Sequence, residues 1–181
     1  MVARNHESRG LPAPALLLPF ALTLLVLAAC DPVHSDQKAA LGDEAPGVGT
    51  GPTHRPGQPC LICHDGSFGN PSKFAVAGTV FQDTTSKTAA SGVTVRMTGA
   101  DGATREVQTN EVGNFYMQAK EWTPVYPMTV SLVYGQASTC MWTRTGRDGS
   151  CAGCHFDPAG SNSPGHVALK PDPTTYVGCP K

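Results

Sequence analysis

Phe74-Ala75-Val76-Ala77-Gly78-Thr79-Val80-Phe81 is the first of a series of short apolar runs between residues 74 and 135, and the series decides the fold. Gly92 to Met97 puts Val93, Val95 and Met97 on one face of a second strand; Glu106 to Thr109 is a third. Phe115 and Met117 alternate in a fourth, and Val130, Leu132 and Tyr134 in a fifth. Alternation with period two marks strands with one buried face. Between them stand Ala100-Asp101-Gly102 and Asn110-Glu111-Val112-Gly113-Asn114, residue types that reverse the chain tightly. Pro124 and Pro127 flank Tyr126 where an edge or a crossing between sheets is expected, because proline cannot donate to a ladder. Short alternating strands at this spacing predict a mainly β chain built on a small antiparallel sandwich.

Outside that stretch, on either side, stand two matching pentapeptides: Cys60-Leu61-Ile62-Cys63-His64 and Cys151-Ala152-Gly153-Cys154-His155. The C-x-x-C-H spacing resembles the attachment motif of c-type cytochromes. In that family two thiols three positions apart reach the two vinyl groups along one porphyrin edge, and the next side chain turns under the ring. That resemblance implies two covalently bound haem c groups, held by Cys60, Cys63, Cys151 and Cys154, with His64 and His155 as proximal iron ligands. Two alternatives stay open at the level of sequence. The cysteine pairs could build a tetrahedral zinc site, which leaves both following histidines unexplained. They could also form disulfides or thiol redox centres, since bridges between cysteines three apart are strained and reducible.

Iron has two axial positions, so two haems call for two further ligands. His54, in Thr53-His54-Arg55-Pro56-Gly57, and His166, in Pro164-Gly165-His166-Val167, lie in Pro- and Gly-rich loops near the two motifs and are the expected distal metal ligands. Which histidine serves which iron, and whether within one chain, is open. His34 reads as a bystander. Met97, Met117 and Met128 fall at strand positions and read as core, while Met141 beside Cys140 and Trp142 stays a candidate ligand. Phe68, Trp142 and Phe156 are candidates to pack on haem, and Arg55, Arg144 and Arg147 to pair with propionates. Cys140 and Cys179 remain as an even pair and are expected to form a disulfide, with two thiols as the alternative.

The N-terminus is a targeting segment rather than part of the fold. Arg4 and Arg9 precede an apolar run from Leu16 to Ala29, which ends at Leu27-Ala28-Ala29-Cys30. The run is shorter than the roughly 20 residues that span a bilayer and contains Pro19. This resembles a bacterial lipoprotein signal, which implies export, removal of residues 1–29 and lipidation of Cys30 on a membrane facing the periplasm or the cell exterior. Residues 30–53 lack any period and read as a flexible tether. The expected divisions are then a first haem-binding segment at 54–73, the sandwich at 74–135 and a second haem-binding segment at 136–181. Past residue 29 the chain carries 11 basic against 13 acidic side chains, which leaves no basic field for nucleic acid. Its 20 glycines and 16 prolines argue against long helices, and so for a small core helped by what the cysteines bind.

The sandwich stretch also resembles carboxypeptidase regulatory-like modules of transthyretin-like or Ig-like form. Gly78-Thr79-Val80, Gly92-Val93-Thr94-Val95, Thr109 with Gly113-Asn114-Phe115-Tyr116, and Met128-Thr129-Val130 carry the resemblance, over about a third of the chain. Such modules are non-catalytic spacers or binding units. Together these features predict an electron carrier rather than an enzyme, serving redox protein partners, anchored by its lipid, and open to assembly with its own copies as a unit of an extracellular haem chain. The rivals are a haem enzyme or sensor with an open iron, such as a small peroxidase, and a structural lipoprotein with zinc or disulfides at the cysteine pairs.

Overall fold

A computed structural model describes residues 32–67 and 72–169. The chain divides into two units, residues 1–37 and 38–181, and the sandwich and both C-x-x-C-H segments belong to the second. Cys30, Phe68 and Cys179 lie outside the described residues. No helix among the described residues is long and apolar enough to cross a membrane.

The protein is mainly β, and its strands fall into two sheets. In chain order they are β1 (Phe74–Thr79), β2 (Thr94–Thr98), β3 (Thr104–Gln108), β4 (Asn114–Gln118), β5 (Thr129–Tyr134), β6 (Ala137–Cys140) and β7 (Gly149–Ser150). One sheet has the order β4-β1-β7, the other β3-β2-β5-β6. All pairings are antiparallel except that of β7 with β1. Val76, Val80, Phe115 and Met117 on the first sheet meet Val93, Val95, Met97 and Leu132 on the second in one apolar core. In β2 the alternation expected from sequence holds: Val95 and Met97 are fully buried, while Arg96 faces outward and pairs with Glu106 across the ladder at 2.6 Å. Met117 and Met128 are also core residues. Tyr134 departs from its expected inward face and is 52% exposed. The β2–β5 ladder ends at Thr94 and Val133, so Tyr134 runs past the neighbour that would have covered it.

Two expectations change. The tether predicted for 30–53 contains a helix, α1 (Pro32–Ala40). Proline is well placed at a helix start, where its missing N–H has no partner to lose, and Lys38 sits in the last turn, where the helix dipole favours a cation. The later part of the tether belongs to the second unit and is hydrogen-bonded within it. Arg55 donates to the carbonyls of Leu41 and Gly42, and Asn110 and Asn114 donate to the carbonyl of Pro52. Second, the sandwich does not end at residue 135. The segment expected to follow it contributes β6 to the edge of one sheet and β7 to the edge of the other. Residues 167–169 then return to the sandwich: Phe81 N donates to Val167 O, and Leu169 N to Phe81 O.

Candidate functional site

The two C-x-x-C-H pentapeptides take the same backbone form. Each begins with a 3-10 turn, Cys60–Ile62 and Cys151–Gly153. In the first, the Cys63 and His64 amides both donate to Cys60 O, at 3.1 and 3.0 Å; in the second, the Cys154 and His155 amides both donate to Cys151 O, at 3.2 and 2.9 Å. A turn closed in this way sets the backbone positions of two cysteines and one histidine alike in both motifs.

The imidazoles are fixed in the same way too. His64 Nδ1 bonds the Ser72 carbonyl at 2.8 Å, and His155 Nδ1 bonds the Gly165 carbonyl at 3.0 Å. A backbone carbonyl accepts from an N–H, so each ring carries its proton on Nδ1 and its lone pair on Nε2, the arrangement by which proteins orient an imidazole for a metal. The His64 ring stacks on Phe74 at 4.1 Å, and Phe74 stacks on Tyr116 at 4.6 Å, so β1 and β4 set its plane. Burial lowers the pKa of His155, and its hydrogen bond to the Gly165 carbonyl opposes the shift.

Both motifs dock on the central strand β1, and they lie next to each other. The parallel pairing sets Gly149 against Val76 and Ser150 against Ala77, and Cys151 follows directly. Two glycines make this approach possible. A Cβ on Gly149 would stand 2.1 Å from Ala75 O, and one on Gly78 would stand 2.7 Å from the Cys151 Cβ. β7 also touches the first motif, and the Cys60 and Cys151 thiols are near enough to interact electrostatically. A mainly apolar cleft of about 280 Å³ opens at the junction, lined by Leu61 of the first motif, Phe74, Tyr126 and Gly149, with Lys73 and Arg147 on its wall.

His54 stands beside His64, with ring centroids 5.9 Å apart and planes at 31°. Its Nδ1 faces the Gly51 backbone, accepting from the Gly51 amide at 3.3 Å with the Gly51 carbonyl also against it. The loop carrying it is held by two buried residues that sequence reasoning did not single out as site residues. Thr79 Oγ1 accepts from Gly57 N and donates to Asn114 Oδ1, each at 2.7 Å, and Asn114 Nδ2 donates to His54 O at 2.9 Å. A Thr inside a strand and an Asn after a turn give no sign in the sequence that they clamp a loop some 25 to 60 residues away.

His166 lies elsewhere. It is 8% exposed, stacked on Phe81 at 4.3 Å, with Nδ1 on the Ser86 carbonyl at 3.0 Å and Nε2 against Asp157 Oδ2 at 3.1 Å. Its backbone neighbour Gly165 is the residue that holds His155. Of the other candidates, His34 lies on α1 in the first unit, and Met141 is half-buried with its amide on Val130 O. Trp142 and Phe156 are exposed, at 74% and 38%. Arg55 is engaged by Glu44, Gln58 and the 41–42 carbonyls, whereas Arg147 is almost fully exposed beside Asp148.

The chemistry open to the cysteines narrows accordingly. Cys60, Cys63, Cys151 and Cys154 are thiols rather than disulfides. Burial pushes the Cys60 thiol up to about 11 and the Cys151 thiol up to about 12, the reverse of the depressed values that activate thiol redox motifs. Among the described residues no three His, Cys, Asp or Glu side chains gather into a group that could hold a metal ion. A haem asks for something else: two thiols for the porphyrin edge and one axial imidazole per motif, which is what each turn presents. Cys140 is disulfide-bonded, and its expected partner, Cys179, falls outside the described residues. No protein-family model, curated protein or solved structure matches the chain, so the resemblances to c-type cytochromes and to carboxypeptidase regulatory-like modules rest on its own residues.

Proposed function

We propose that the protein is a dihaem c-type cytochrome that carries electrons between redox partners on the outer face of a bacterial inner membrane or at the cell surface, tethered by a lipid on Cys30. The observation that carries this reading is the repetition of one turn: two C-x-x-C-H segments with the same hydrogen bonds, each with its imidazole Nδ1 on a backbone carbonyl. A histidine that follows its motif by chance has no reason to repeat that second feature. Haem c, when bound, supplies a one-electron iron couple.

The chain's own part is to hold two such groups in adjacent positions and keep them still. β1 does this, because both motifs dock on it and its fully buried Val76, with Val80 just after the strand, anchors it in the core. Lys73 and Arg147 at the shared cleft offer positive charge for propionates, as the sequence suggested for Arg147. Expressed with a c-type maturation system, the mature protein should gain the mass of two haems, and Cys63→Ala and Cys154→Ala should each impair attachment at one site only. Metal analysis showing zinc with no porphyrin would overturn the proposal.

A further inference from the structure

We infer that the two C-x-x-C-H sites are unequal: His54 and His64 close one iron from both sides within a single chain, whereas His166 braces the fold and leaves the second iron, held by His155, open to an exogenous ligand. The inference rests on the haem reading above and goes beyond it, since the sequence alone assigned His54 and His166 the same role.

Two imidazoles that share one metal at about 2 Å each have ring centroids roughly 6 Å apart. His54 and His64 stand at 5.9 Å. Nδ1 of each ring faces backbone, the Ser72 carbonyl for His64 and the amide and carbonyl of Gly51 for His54, so Nε2 is the nitrogen assigned to the iron in both. Nor is the separation that of a loose loop passing by. The Thr79–Gly57 and Asn114–His54 hydrogen bonds tie the His54 loop to β1 and β4, while Phe74 and Tyr116 on the same two strands fix the His64 ring. One sheet therefore sets both imidazoles.

His166 is held differently. An acceptor faces each of its nitrogens, Ser86 O at Nδ1 and Asp157 Oδ2 at Nε2, and Phe81 covers one face of the ring. Its amide donates to Thr84 O. Three of these four contacts fasten the 156–166 loop to residues 81–86, and that loop in turn supplies the Gly165 carbonyl that orients His155. His166 is thus a positioning residue for the proximal histidine rather than an axial ligand.

The test is the stoichiometry of carbon monoxide binding to the full, haem-loaded protein reduced with dithionite. The wild type should bind one carbon monoxide per chain, and ferric electron paramagnetic resonance should show one low-spin and one high-spin haem. His54→Ala should raise the count to two. A wild-type count of zero, from a ligand such as Met141 or a second chain, would overturn the open second site. A count of two, or a His54→Ala variant still at one, would overturn the His54–His64 pairing. The wild-type count and spin states need no variant, so they decide the matter even if a substituted protein fails to fold. A protein carrying no haem by mass would instead refute the proposed function itself.

Discussion

Gly149→Ala tests whether the sandwich really positions the second motif. The new Cβ would lie 2.1 Å from Ala75 O and 2.6 Å from Val76 Cα. Both are backbone atoms of the central strand, so no side chain can rotate aside and β7 must separate from β1. Two paired positions are lost, Val76 with Gly149 and Ala77 with Ser150. At about 1 kcal/mol for each hydrogen bond given up, plus about 1–3 kcal/mol of overpacking strain, the fold should lose about 3–5 kcal/mol. For a chain of this size that corresponds to a fall in melting temperature on the order of 10 °C. Thermal unfolding by circular dichroism would measure it. Intact mass would show the second consequence, impaired haem attachment at Cys151 and Cys154 with the first site preserved. Gly146→Ala is the control, because a Cβ there meets nothing within 4 Å. A Gly149→Ala protein that melts with the Gly146→Ala control and carries both haems would refute the claim that β7 pairing places the motif.

Thr79→Val keeps the shape of a buried strand residue but deprives Gly57 N of its acceptor and Asn114 Oδ1 of its donor. A loss of about 1–3 kcal/mol, read as a shift in denaturant midpoint, is expected, with the first haem's distal side more affected than the second. Cys30→Ser should abolish lipidation and leave the precursor uncleaved or released, as followed by membrane fractionation; unchanged membrane association in that variant would mean that another element anchors the chain.

The strands were legible because their signal is local. Val93, Val95 and Met97 alternate with polar neighbours, and a period of two admits one geometry whatever the partner strand. The same reasoning failed for Tyr134, whose cover depends on how far β2 extends, and for α1, whose nine residues are too few for a helical period to stand out beside Pro-, Gly- and Asp-rich sequence. It also drew the sandwich boundary at 135, since the two-residue strand β7 carries no pattern of its own and exists through its pairing with β1.

The sequence by itself determined the mainly β class, the positions of most strands and the two C-x-x-C-H motifs with the cofactor class they suggest, since spacing and alternation are properties of the chain written in one dimension. Tertiary structure decided what depends on residues far apart in the chain. It brought the two motifs together on β1, tied the His54 loop down through Thr79 and Asn114, and turned His166 toward Asp157 and Ser86. His54 and His166 look alike in sequence, each in a Gly- and Pro-rich loop near a motif. What separates them is which carbonyl, carboxylate or ring the folded chain sets beside each nitrogen, and no local pattern encodes a neighbour 80 residues away, as Ser86 is to His166.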